Sequence, residues 1–434
     1  MQWHYIYDAF LIKAGYAEGM KRYLLPALLL VGCQTTSSTP NPNPDVTLET
    51  RTENIRQKFN VPSLSLLMAS DQKVLSQTVT GVRKYGAPEK VTLQDVHHLG
   101  SISKSFTATL IASLVEQKKL SFQSTLKDLF PEETMLPALE NVTVHQLLIH
   151  RSGLVPNLEM QEDWLDASIP LAQRKASFLK ATLLHGLKAK TSAQSINVVP
   201  PFEYSNVGYA LLAMIAEQVG KKSYESLLEQ HIFKPLQMKT CSVGFVWDTK
   251  TISQPWPHTE QNGQPVPISP EYPSKANGHV IAGNPEVING ADNVRCSLPD
   301  LSRYLQAHMN GENGKNGILK SETFKLLHTR HVQNIGPNVN VGYGYGWMVT
   351  NDAKGNLVFL HDGSNTLNYA SAIVLPAAQS IFIAATNMGD PEATGAGPSA
   401  VAAGMEEMIQ EASKTGAAMQ VTPEQLHPLG LQGF

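Results

Sequence analysis

The sequence predicts an α/β (α+β) fold: one antiparallel sheet drawing strands from both ends of the chain, helices near both termini, and an inserted helical domain. Three observations carry this expectation. Short apolar, β-branched runs cluster between about 60 and 82, and similar runs return from about 340. The stretch between, about 100 to 330, is dominated by helical periodicity with Pro/Gly-rich loops. No internal repeat is present, so the two groups of strands belong to one sheet rather than to two copies of a unit.

Composition agrees with a folded core. The 434 residues are 42% hydrophobic and 16% charged. A net charge of −3, with no basic run interleaved with aromatics, excludes an electrostatic case for nucleic acid. Fourteen histidines raise the question of a metal, but His97 and His98 are adjacent, and His145 and His150 are five apart. Neither spacing aligns two ligands on one helical face, and no H-E-x-x-H occurs, so no metal is expected.

The N-terminus reads as a leader. Lys21 and Arg22 precede a short apolar stretch, Tyr23 to Val31, about half of the ~20 residues needed to span a bilayer. Leu30-Val31-Gly32-Cys33 looks like a bacterial lipobox, where a signal peptide is removed and Cys33 is lipidated; the plain alternative is an apolar leader with an incidental cysteine. Met20 is the expected start of translation, since residues 1–19 have no place in such a leader. QTTSSTPNPNPD then forms a tether with nothing to bury, reaching roughly 40 Å when extended. The expected division is leader 1–33, tether 34–45, catalytic domain 46–415 and tail 416–434, with the sheet from 46–100 and 335–415 and the insertion at about 101–334.

The elements follow in order. A polar helix is expected from Val46 to about Phe59, then a hairpin from PSLSLLMAS and KVLSQTVTGV around Asp71-Gln72. In LGSISKSFTATLIASL, Phe106, Leu110 and Leu114 recur every four residues, which predicts an amphipathic helix burying one stripe. Another helix opens at Tyr204-Ser205-Asn206 and ends at Gly220, and the polar tract from Thr249 to Asp292 is the least regular part. GYGWMVT, NLVFLHDG, NYASAIVLP and SIFIAATN read as strands, and a last helix runs from about Ser399 to Ser413 with Gly416 as C-cap. Cys241 and Cys296 could pair in an oxidising envelope, but nothing in their spacing favours it, and buried free thiols are the expectation.

Three short motifs can carry chemistry. Ser101 and Lys104 lie at i and i+3 on a helix start, close enough to share a proton; the helix dipole and desolvation would push the lysine toward neutrality. Ser124–Lys127 and Ser177–Lys180 match the same spacing, so it does not choose among them. Tyr204-Ser205-Asn206 could equally supply a packed ring and an N-cap. His361-Asp362-Gly363 ends a strand, where Gly363 would let the Ser364 amide face a substrate.

Together, Ser-x-x-Lys, Tyr-x-Asn and His-x-Gly, in this order and on these elements, resemble the serine β-lactamase and penicillin-binding DD-peptidase family. The Tyr-x-Asn form is similar to the class C branch and its esterase and D-peptidase relatives. LGSISKSFTA, TVHQLLIHRSGL, YSNVGYALL, KPLQM and YGYGW add to the likeness, which covers about 46 to 415. A literal Lys414-Thr415-Gly416 also occurs, but it closes the final helix with no strand after it, whereas the family's third motif lies on a sheet strand, as His361 does.

The resemblance implies a β-lactamase/transpeptidase-like fold and an acyl-enzyme hydrolase of amide or ester bonds. Ser101 would be the nucleophile, with Lys104 and Tyr204 moving its proton. The N–H groups of Ser101 and Ser364 would form an oxyanion hole beside Gly363, Asn206 would orient the substrate amide, and His361 would replace the usual lysine that draws a substrate carboxylate. With an ordinary pKa of about 6.5, His361 should lose that attraction as pH rises through neutrality. His150 and Asp362 read as packing or turn residues, and Tyr345 and Trp347 as lining or filling the cleft.

Three motifs do not separate D-alanyl carboxypeptidase, esterase and β-lactamase activities. A binding module, a penicillin-recognising sensor with little turnover, is the alternative from another class. An α/β-hydrolase is excluded, since no G-x-S-x-G elbow occurs. No cofactor is expected. The expected partners are a small-molecule or peptidoglycan-peptide substrate and a membrane of the bacterial cell envelope, on its periplasmic side, reached through the lipid on Cys33.

Overall fold

A computed structural model describes residues 47–188, 199–244, 251–269, 284–336, 340–352, 354–389 and 395–414. The leader, the lipobox, the tether, the tail and Gly416 lie outside the described residues. Helix α1, Leu48–Lys58, begins at Thr47, whose side chain accepts the Thr50 N–H. The hairpin follows as β1, Ser63–Ala69, and β2, Val74–Gly81. Strands β3, His97–His98, β4, Ser242–Val243, and β7, Val294–Cys296, form a small sheet in the order β3-β7-β4. A separate hairpin, β5, His258–Gln261, and β6, Gln264–Pro267, lies within the tract read as irregular. The C-terminal strands are β8, Gly342–Tyr343, β9, Met348–Asn351, β10, Leu357–Ser364, β11, Tyr369–Leu375, and β12, Ser380–Thr386.

The main sheet has seven strands in the order β2-β1-β12-β11-β10-β9-β8, all antiparallel. The first and last strands of the chain therefore pair inside the sheet, as its second and third strands, Leu66 opposite Ala384. Both faces are covered, which explains why β1, β11 and β12 are buried along their whole length. One face, with Leu64, Leu66, Ile373 and Phe382, packs on α1 and the last helix; that helix runs Ala396–Lys414 and contributes Val401, Met405 and Met408. The other face, with Leu67, Phe359, Ala372 and Ile383, packs on the inserted helices. The insertion is not purely helical, because β4, β7 and the β5–β6 hairpin fall inside it.

Helix α2, Ser103–Glu116, departs from the one-stripe expectation, since every residue from Ser103 to Leu114 is buried. Its polar residues are satisfied internally: the Ser103 hydroxyl accepts the Val294 N–H, and the Thr107 hydroxyl reaches Tyr224 and the Gly290 carbonyl. Periodicity sees only the large apolar side chains, and Ser and Thr with buried partners look solvent-facing. The other long helices are α3, Leu171–His185, α4, Asn206–Gly220, α5, Leu298–Glu312, and α6, Ser321–His328.

Cys241 and Cys296 form a disulfide, which corrects the free-thiol expectation. The cause is register. Ser242 pairs with Arg295 across β4 and β7, so the residues one step outward face each other. No linear spacing reveals that, because it depends on a sheet whose strands are short and far apart in the chain.

Candidate active site

The site forms where α2 begins, against the end of β10. Strand β9 pairs with β10 from Leu357 to Leu360 and stops there; the 3₁₀ turn Gly100–Ile102 packs against the remainder of the strand. Gly100 has a φ of +52°, and a Cβ on it would collide with the Ser364 nitrogen. A Cβ on Gly363 would collide with the Leu99 carbonyl and lie 2.9 Å from the Ser101 nitrogen. Two glycines facing each other thus bring the backbone amides of Ser101 and Ser364 to one place.

Ser101 is 3% exposed, and Lys104 one turn later is fully buried. The Lys104 Nζ lies 3.0 Å from Ser101 Oγ, 2.7 Å from Asn206 Oδ1 and 2.9 Å from the Ala291 carbonyl. Three contacts saturate an ammonium. Two of them are carbonyl oxygens, which can only accept. When Lys104 is neutral its lone pair must therefore face Ser101, whose hydroxyl then donates to it. Burial pushes the Lys104 amine down to about 7, against the opposing pull of Asp292.

Asp292 is a residue that the sequence reading missed. It is buried, takes hydrogen bonds from Asn284 Nδ2 and the Asn293 N–H, and lies 3.5 Å from His98 Nε2. Burial pushes its carboxyl up while Lys104 and Arg295 pull it down. An acid next to Ala291, whose carbonyl holds the base, becomes visible only once the fold joins 104 to 291.

The second motif sits at the start of α4. Ser205 is the N-cap, accepting the Gly208 N–H, and this leaves the Asn206 side chain free to reach Lys104. Asn206 donates through Nδ2 to Asn157 Oδ1, 2.9 Å away. Tyr204 is buried, its ring centroid 4.7 Å from the Lys104 Nζ. At the other end of α4, Gly220 is the last helical residue and Lys221 takes the left-handed position.

His361 points from β10 into the same interior and is 1% exposed. Its Nδ1 lies 2.6 Å from the Asp362 carbonyl, so it donates there, and its Nε2 accepts the Tyr343 hydroxyl at 3.3 Å. Burial, reinforced by the nearby Lys104 charge, holds the imidazole down to about 3. The expected titration near neutrality is thereby removed, because an ordinary pKa presumes solvent that this side chain does not have. Tyr345 and Trp347 are both buried, and Trp347 packs against Tyr304, His308 and Phe359.

Neither Ser124–Lys127 nor Ser177–Lys180 is built this way, and Ser70–Lys73, which has the same spacing, lies in the β1–β2 hairpin turn with the Ser70 hydroxyl accepting the Gln72 and Lys73 N–H groups. Lys127 and Lys180 are exposed, Ser124 accepts a turn amide from Ser121, and Ser177 is tied to Trp164 and Asp163. Among the described residues, no group of three or more His, Cys, Asp or Glu could hold a metal ion.

A buried Ser–Lys pair with Tyr204, Asn206 and two convergent amides, on a sheet with an inserted helical region, defines the class. The chain belongs to the beta-lactamase family, whose match runs over residues 16–404. It is 26% identical over 331 residues to Protein flp of Staphylococcus aureus strain MW2, covering 76% of this chain and 60% of that protein. Penicillin-binding protein 4 of Amycolatopsis lactamdurans is 24% identical over 354 residues, 78% of this chain and 84% of its own length. Among solved structures, the octameric penicillin-binding protein homologue from Pyrococcus abyssi superposes with a TM-score of 0.65 at 24% identity, over 84% of this chain and 77% of that one. The class C beta lactamase from Rhodobacter sphaeroides gives a TM-score of 0.61 at 16% identity, covering 84% and 98%. The fold is the β-lactamase/transpeptidase-like one.

Proposed function

We propose that this chain is a serine hydrolase that cleaves an ester or amide bond through an acyl-enzyme on Ser101. The observation that carries the reading is the buried Lys104 amine, 3.0 Å from the Ser101 hydroxyl and held down to about 7. Neutral Lys104 accepts the Ser101 proton as Oγ attacks the substrate carbonyl. The oxyanion meets the N–H groups of Ser101 and Ser364, a contribution of roughly 3 kcal/mol per donor. The proton passes through Lys104 and Tyr204 to the leaving group, whose bond to the acyl carbon breaks. Water then loses a proton to the same pair, adds to the acyl carbon and releases Ser101. Asn206, held between Lys104 and Asn157, orients the acyl side.

His361 supports a preference for uncharged leaving groups. Its Nδ1–H is engaged by the Asp362 carbonyl and its Nε2 lone pair by Tyr343, so it offers a substrate carboxylate neither charge nor donor. Neutral esters fit this end of the site better than D-alanyl peptides or β-lactams. With its pKa held down to about 3, His361 stays neutral from pH 5.5 to 8.5. The kcat/KM profiles for one anionic and one neutral ester should therefore have the same shape over that range. His361→Lys should raise kcat/KM for the anionic ester selectively. A wild-type profile that falls through pH 6.5 for the anionic ester alone would show a titrating imidazole and defeat this assignment.

We also propose that the chain is tethered to a bacterial envelope membrane through lipid on Cys33, a reading supported by the Leu30-Val31-Gly32-Cys33 sequence. Dual acylation anchors stably where one chain does not. Cells fed labelled fatty acid should label the wild type and not Cys33→Ala. Unlabelled wild-type protein in the soluble periplasm would refute the anchor. Turnover of a p-nitrophenyl ester tests the enzyme reading, against a stable penicillin adduct without turnover for a sensor.

A further inference from the structure

Tyr204 shares the proton-transfer role with Lys104, and the residue that holds it belongs to another part of the insertion. His150 follows a short helix, Val144–Leu148, and has a φ of +57°, a left-handed conformation that a non-glycine residue keeps only where its surroundings enforce it. From there its carbonyl accepts the Glu203 N–H at 2.9 Å, and its Nδ1 accepts the Ser205 N–H at 3.0 Å. Those two amides lie on either side of Tyr204. The His150 ring centroid is 4.3 Å from that of Tyr204, and Tyr209 and Tyr343 close the pocket at 4.9 and 4.8 Å.

Because Nδ1 accepts, the proton of the neutral ring is on Nε2. That N–H is buried and has no acceptor among the described residues. A donor left in this state destabilises the fold, so packing alone does not account for a histidine here. Burial, together with the charge of Lys104 and the neighbouring His361, holds the ring well below its ordinary value. It is therefore uncharged beside the base, and a cation there would oppose the proton that Lys104 must accept.

We propose that His150 is the positioning residue for Tyr204, clamping the backbone on both sides of it and packing on its ring so that the ring keeps its place 4.7 Å from the Lys104 amine. This inference rests on the reading of Ser101, Lys104 and Tyr204 as an acyl-transfer centre. His150→Phe keeps a ring but removes the acceptor, leaving the Ser205 N–H without its partner. His150→Asn keeps an acceptor and tolerates the left-handed backbone.

The test uses the full chain and an alkyl fluorophosphonate, which reacts irreversibly with an activated serine. The fraction finally labelled counts competent folded sites, while the maximal rate reads the chemistry. His150→Phe should label to the wild-type extent with the maximal rate lowered about 10- to 100-fold, the half-saturating concentration staying nearly constant. His150→Asn should recover part of that rate, because it restores an acceptor for the Ser205 N–H although not the ring packing. A His150→Phe protein that reacts at the wild-type maximal rate, whatever its labelled fraction, would overturn the proposal. So would His150→Asn that is folded yet as slow as His150→Phe. If the wild type itself is not labelled on Ser101, the acyl-transfer reading falls first and this one with it.

Discussion

Ser101→Ala should eliminate acylation and lower ester turnover by roughly a million-fold, the scale seen when a serine nucleophile is removed from a well-studied protease. The variant should still fold, since Ser101 contributes one hydroxyl to a turn whose geometry is set by Gly100 and Gly363. What is lost is a hydroxyl positioned both 3.0 Å from a buried amine and beside the convergent amides. Ser124→Ala and Ser177→Ala provide the internal control. Their lysine partners are exposed and neither hydroxyl has a buried amine beside it, so both variants should match the wild type. The check is steady-state hydrolysis of a p-nitrophenyl ester by all four proteins, and an inactive Ser124→Ala would contradict the choice of nucleophile.

Lys104→Arg should cost about 10²- to 10⁴-fold in kcat, the usual worth of a general base. A guanidinium keeps a cation and hydrogen-bond donors in the site, so the change isolates the ability to give up a proton. In the wild type the active form is the neutral amine, whose population rises with pH through the group's pKa. Burial brings that pKa down to about 7, so kcat/KM should climb as pH rises through about 7 and level off above it. Because His361 is already neutral there, neither limb should depend on the charge of the substrate. Residual activity in Lys104→Arg that keeps the wild-type pH profile would show that the proton goes elsewhere.

Much of the fold is legible from local chemistry. The β1–β2 hairpin, the four C-terminal strand segments and α1 all announce themselves by period and by bounding turn residues, and each is present within a few residues of its expected place. The last helix starts at Ala396, slightly before the Ser399 read from its pattern. The central helix is a different case. Its Ser and Thr residues are polar by type and buried by context, so α2 looks half exposed in sequence and is sealed in the structure. The Cys241–Cys296 pairing depends on the register of two very short strands, which no window of sequence contains.

The site divides in the same way. Ser101, Lys104, Tyr204, Asn206 and His361 are visible as motifs, because the first four lie at or beside a helix start and His361 lies on a strand three residues before its end. Their partners are not. Asp292 and Asn157 act on motif residues from far away in the chain, through packing that only the fold creates, and Tyr343 lies in the YGYGW segment without any local sign that its hydroxyl meets His361. The protonation of His361 departs from the sequence expectation for that reason: residue type gives an ordinary pKa, while the interior gives a neutral ring with both nitrogens engaged.

Hydrolysis at this site requires that Ser101 be acylated and then released. Rapid-quench intact-mass analysis during hydrolysis of a p-nitrophenyl ester, followed by peptide mapping, tests it most directly. A transient gain of one acyl group is expected on the peptide containing Ser101, vanishing as substrate runs out and absent from Ser101→Ala. An acyl group on any other residue, or turnover that persists undiminished in Ser101→Ala, would contradict it.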